Sequence, residues 1–131
     1  SDFFYRAIRA AGGPKAFYDR VYVQALCPLG FTRMGPKGTP LNLNYYDDRA
    51  LQEAITPVVV QWLKDLIATG LRTDVMCCIG TGKNLAYLEK LNAEHGFFER
   101  IVPLEHPRFV MQYRFKRMAE YVEKYVVASL L

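Results

Sequence analysis

Ile101-Val102-Pro103-Leu104-Glu105-His106-Pro107-Arg108-Phe109-Val110-Met111-Gln112-Tyr113-Arg114 passes from strand to turn to helix within one short stretch. The apolar run Ile101 to Leu104 reads as a short buried strand. It ends at Glu105-His106-Pro107, because proline cannot extend a central strand and holds the residue before it out of the helical region. His106 therefore sits on a stiff turn at the carboxyl end of a strand, and a helical pattern follows. In open α/β sheets ligands collect beyond those strand ends. A histidine held there can donate to a developing negative charge or move a proton. It can equally be a turn histidine that bonds nearby backbone.

The same alternation recurs upstream. Val75-Met76-Cys77-Cys78-Ile79 reads as a strand, and Gly80-Thr81-Gly82-Lys83-Asn84 then opens a helix through Leu85, Leu88 and Leu91 that stops near Gly96. Val21 to Leu26 reads as the first strand. Ser1 and Asp2 cap a first helix, and Pro14 starts a short second one. Asp47-Asp48 opens a long helix with Leu51, Ile55, Val59 and Leu63 on its buried side; Pro57 should kink or divide it, and Gly70 closes it. The last helix is expected from about Val110, with Phe115, Met118, Val122 and Tyr125 facing the core. Strands alternating with helices predict an α/β domain, a three-layer αβα arrangement over a parallel sheet. Three strands are visible, few for a sheet covered on both faces. Residues 32 to 46, rich in glycine, proline and asparagine, read as a long loop. Its Arg33, Lys37, Tyr45 and Tyr46 suit either a nucleic-acid surface or a solvated loop with two packed tyrosines.

Length and composition narrow the classes. The chain has 131 residues, one domain's worth, and its 51% apolar content argues against disorder. Seventeen basic and thirteen acidic residues leave a net charge of +4, which permits a polyanionic partner without demanding one. The three cysteines, Cys27, Cys77 and Cys78, show no C-x-x-C spacing. They argue against a disulfide framework, a zinc site or an iron–sulfur cluster, and fit a reducing cytoplasm. No apolar run reaches membrane-spanning length.

The glycine loop places backbone amides and Lys83 at a helix start, where a phosphate can bind. A P-loop would need glycine at 77 and serine or threonine at 84. The chain has Cys77 and Asn84. A dinucleotide fingerprint would need a third glycine where Leu85 stands. A single backbone phosphate of a nucleic acid is the functional reading of Gly80, Gly82 and Lys83; a tight strand-to-helix turn is the structural one.

Three segments taken together, Tyr22 to Phe31 with its Cys27-Pro28-Leu29-Gly30, Cys78 to Asn84, and Leu104 to Tyr113 with its His106-Pro107, resemble the uracil-DNA glycosylase superfamily. The likeness is to its single-strand-selective monofunctional branch and bacterial relatives, and covers nearly all of residues 1–131. The resemblance implies a hydrolase that excises uracil or a related damaged base from DNA, with the nucleotide flipped out of the stack and with neither cofactor nor metal. His106 matches the histidine that stabilises the leaving base as an anion. Arg108 and Phe109 occupy the start of the loop that enters the duplex, and Arg114, Lys116 and Arg117 follow where phosphates would lie.

Two departures accompany the resemblance. The uracil-reading asparagine of the family corresponds to Ala25, preceded by Gln24. Alanine offers no amide, and strand alternation would send Gln24 to the other face. The family's first motif, a strand and a Gly-x-Asn-Pro-Gly-like loop that positions the attacking water, has no match in residues 1–131. Its strand lies centrally in the family, between those matched by 21–26 and 75–79. The chain thus resembles the C-terminal portion of such a domain, with a fourth, central strand expected from an upstream segment or a partner chain. A non-catalytic DNA- or phosphate-binding module and an interaction protein with an open sheet are the competing readings.

Overall fold

The computed structural model describes residues 1–131. It is an α/β fold. Helix α1 (Asp2–Ala10) begins at Ser1, whose Oγ accepts the Phe4 N–H at 3.3 Å, and α2 (Pro14–Tyr18) has proline in its first turn. A hairpin of β1 (Phe31–Met34) and β2 (Pro40–Leu43) comes next, then a 3-10 turn at Tyr45–Asp47. Helix α3 (Arg49–Ala68), capped by Asp48, leads to β3 (Val75–Ile79), α4 (Lys83–His95) and β4 (Arg100–Leu104). Helix α5 (Pro107–Tyr113), a 3-10 turn at Phe115–Arg117 and α6 (Met118–Ser129) complete the chain.

Strands β3 and β4 pair in parallel, Val75 opposite Arg100 through Ile79 opposite Leu104. Their side chains feed two cores, as period-two alternation requires. Cys77, Ile79 and Leu104 join Phe3, Ala7, Val110, Met118, Tyr121 and Tyr125, from α1, α5 and α6. Met76 joins Ile55, Val59, Leu63, Tyr87 and Leu91, from α3 and α4. Helices thus cover both faces of the strand pair, which makes the three layers.

Four local expectations need correction. Residues 21–26 are extended but form no strand, and the parallel sheet has two strands where three were expected. No backbone group of residues 22–26 takes part in a backbone hydrogen bond, because nothing lies within reach of that edge. The stretch 32–46 is not a loop throughout: Phe31↔Leu43 to Met34↔Pro40 pair antiparallel around a turn closed by Gly35 N–H to Thr39 O at 2.8 Å, with Gly38 at φ +74°. Pro57 does not divide α3, which runs unbroken. The last helix does break, at Arg114 (φ −132°, ψ 23°), so Phe115 is 59% exposed and not in the core.

Candidate active site

Strand β4 ends at Leu104, and the turn after it is fixed from three sides. Tyr125 Oη donates to the Glu105 carbonyl at 2.7 Å, Lys124 Nζ donates to the Glu105 carboxylate at 2.9 Å, and Pro107 is buried. Burial raises the Glu105 carboxyl, but the Lys124 bond and a backbone bond outweigh it, so the net shift is downward. His106 is the N-cap of α5: its Nδ1 accepts the Arg108 N–H at 3.1 Å. A nitrogen that accepts carries no proton, so the neutral ring bears its hydrogen on Nε2. Partial burial lowers the histidine's pKa, and the Arg108 charge lowers it further. The backbone-bonded turn histidine and the anion-facing donor are therefore the same arrangement: one nitrogen caps the helix while the other is left to donate.

The glycine loop lies beside this turn. Gly80, at φ +119°, donates its N–H to the Leu104 carbonyl at 2.7 Å. Gly82 is the N-cap of α4 and has no side chain to occupy the first amides of the helix. Lys83 is not free, as a bare phosphate cation would be: its Nζ is 3.1 Å from Asp47 Oδ1. The Lys83 hydrogen bond, followed by that of Asn44, lowers the Asp47 carboxyl. Asn84 is the residue that the sequence reading left out. Its Oδ1 accepts from the Tyr45 hydroxyl, its Nδ2 lies 3.9 Å from Cys78 Sγ, and it lines the same cavity as His106. The signal available was its place in the first helical turn after a glycine loop at a strand's end, where a side-chain amide faces whatever the loop binds. Tyr45 is held neutral by burial first and by Tyr87 next. Burial, then Glu89 and Cys77, pushes the Cys78 thiol up to about 11, which removes it as a nucleophile near neutral pH. No three His, Cys, Asp or Glu side chains gather where they could hold a metal ion.

Gln24 and Ala25 both border this cavity. The Gln24 amide oxygen accepts from the Tyr22 hydroxyl at 3.2 Å, so its carbonyl is engaged locally. On the outer side of His106, Arg108 and Phe109 are exposed. The Arg114 guanidinium stacks over the Phe109 ring at 5.2 Å, and Tyr113 leans on Phe109 with centroids 5.6 Å apart. Arg108, Arg114 and Lys116 have no acidic partner within ion-pair distance, whereas Arg117 is paired with Glu120 at 2.7 Å. The structure thus gathers His106, Arg108, Phe109 and Arg114 on one turn and helix start, with Gly80 tied to them. It sets Lys83 and Arg117 in ion pairs of their own.

A family profile described as the uracil DNA glycosylase superfamily matches residues 1–128. The chain belongs to the uracil DNA glycosylase superfamily. The crystal structure of wild-type Pedobacter heparinus SMUG2 superposes with a TM-score of 0.90 at 44% sequence identity, over 96% of this chain. Residues 1–131 span 54% of that glycosylase-superfamily structure, about half its length. No curated protein matches the chain.

Proposed function

We propose that residues 1–131 form the C-terminal portion of a monofunctional DNA glycosylase that hydrolyses the N-glycosidic bond of uracil or a related damaged base. The observation that carries this reading is the divided role of His106, Nδ1 committed to the Arg108 amide and Nε2–H left to donate. When the bond between the base and the sugar C1′ breaks, the base leaves with the electron pair. A neutral imidazole donating to the oxygen where that charge accumulates lowers the barrier without giving up its proton. Water then adds to C1′.

The remaining parts have matching roles. Amides of the Gly80–Gly82 loop suit one backbone phosphate. Phe109, backed by Arg114, suits the gap left by a flipped nucleotide. Ala25 supplies no base-reading amide, so Asn84, with its carbonyl bound to Tyr45 and its amide nitrogen free of any strong acceptor, is the better candidate for contacting the base. The group that positions water comes from outside residues 1–131. A non-catalytic DNA-binding module is the second reading, favoured by alanine at position 25.

Release of uracil from labelled single-stranded DNA tests the proposal. Residues 1–131 alone should release none, and a polypeptide that also carries the complementary segment should be active. Release by residues 1–131 unaided would show the site to be misplaced. Salt-sensitive DNA binding without release by the longer polypeptide would favour the second reading.

A further inference from the structure

The largest cavity, about 430 Å³, has an unusual boundary. It is lined by every residue from Val21 to Leu26 and every residue from Val75 to Ile79. Side chains of an extended segment alternate between faces, so a cavity touching consecutive residues on two segments meets both edge-on. It is therefore a gap in the plane of the sheet. Helices close it above and below: Phe4 and Tyr125 from α1 and α6, Leu63 and Leu88 from α3 and α4. Both of its rims are open backbone. Residues 22–26 make no backbone hydrogen bond, and β3 pairs only with β4, on its other edge.

The two rims run in the same direction. Arg20 Nε donates to the Ser129 carbonyl at 3.4 Å and Arg72 Nη2 to the Leu131 carbonyl at 3.1 Å, which pins the start of each segment to the end of α6. The opposite end of the gap opens at Asn84 and His106. Along five residues of β3 the gap extends about 17 Å, far longer than a nucleobase requires. Growth on the other side of the sheet is disfavoured, because β4 carries Pro103, which has no N–H to offer a ladder.

We infer that this gap is a slot for one β-strand, and that its occupant is an extended, apolar segment of about five residues from outside residues 1–131, paired to both rims at once. A buried backbone left unpaired on two facing edges is costly, and one inserted strand satisfies both. An apolar occupant follows from the lining, whose few charged groups, Arg20 and Arg72, stand at the end near α6. Pedobacter heparinus SMUG2 has nearly half its length beyond the matched part, ample to contain such a strand. The slot stands on its own geometry. That one end of the occupant meets the base-excision site beside His106 rests on the proposed function.

A synthetic peptide with five alternating valine and isoleucine residues between lysine pairs is the probe. Added to residues 1–131, it should bind one to one and slow amide exchange in both 21–26 and 75–79 by about tenfold or more. Val23→Pro and Gln24→Pro provide a parity test. Neighbouring amides of an extended segment point to opposite edges, so one variant should lose the protection and the other keep it. Protection absent, confined to one rim, or lost equally in both variants overturns the inference. So does a dimer that the peptide fails to dissociate, which would mean that a second copy fills the gap. These readouts do not depend on base release, so failure of the glycosylase reading would leave them intact.

Discussion

Replacing His106 separates two jobs that the structure assigns to one ring. Nδ1 caps α5, and Nε2–H faces outward. His106→Ala removes both, whereas His106→Asn keeps a good N-cap acceptor and removes the imidazole. For alanine, loss of the cap should cost about 0.5–1 kcal/mol, because one amide of the first turn loses its partner. In a domain of this size that lowers the melting temperature by about 2–5 °C. Asparagine should restore most of it. The chemical step should behave differently. Loss of one preorganised donor to a developing anion lowers the rate by roughly 10²–10³-fold, and asparagine at the cap cannot replace a donor aimed the other way. Single-turnover base release by the polypeptide that carries the complementary segment, read beside a thermal melt of each variant, makes the comparison. A His106→Asn variant with unimpaired single-turnover release would refute the reasoning, and so would an activity loss in His106→Ala that tracks stability alone.

Three further outcomes can be checked. Asp47→Asn should release Lys83 from its ion pair, so DNA binding should tighten and its salt dependence steepen by up to about one unit of log–log slope; an unchanged slope would mean that Lys83 meets no phosphate. Charge-removing changes at Arg108, Arg114 or Lys116 should each flatten that slope by about one unit, while Arg117→Gln, whose charge Glu120 already offsets, should do less; equal effects at all four would point to net charge alone. Because the folded pKa of His106 lies below the ordinary 6.5, its contribution to stability is fully present above pH 6.5 and is lost as the pH falls from there through the folded value, and base release should decline over the same acid range. A pH–rate profile whose acid limb survives His106→Asn unaltered would remove His106 as its source.

The turn at His106 was legible because proline dictates it. Pro107 blocks the strand and restricts the residue before it whatever the surroundings, and helix caps at Ser1, Asp48 and Gly96 are equally local. Val21 to Leu26 failed as a strand for the opposite reason. Its composition suits a ladder, but a strand exists only beside a partner, and residues 1–131 bring none to that edge. The hairpin at 31–43 was hidden by its own turn, whose glycines and proline made the flanks read as loop. Nothing near Arg114 announces the helix break: Arg114-Phe115-Lys116-Arg117 holds neither glycine nor proline, and tertiary packing decides it. Within the site, His106 could be singled out from its neighbours in sequence. Asn84 could not, because its hold by Tyr45 spans 39 positions, and neither could the pairing of Lys83 with Asp47.

The hydrogen bond from Gly80 to the Leu104 carbonyl joins the base of the glycine loop to the base of the histidine turn. Two groups fastened at their roots cannot be adjusted separately. The distance between an anion seated on the loop amides and the imidazole is set when the protein folds, and little ordering entropy is left to be lost on encounter. A nucleotide whose phosphate spacing matches that distance arrives already aligned with the donor. One that is shifted along the strand by a single unit reaches the loop or the histidine, but not both. The bond therefore works as a ruler, and it converts position along a flexible polymer into a choice between reaction and release.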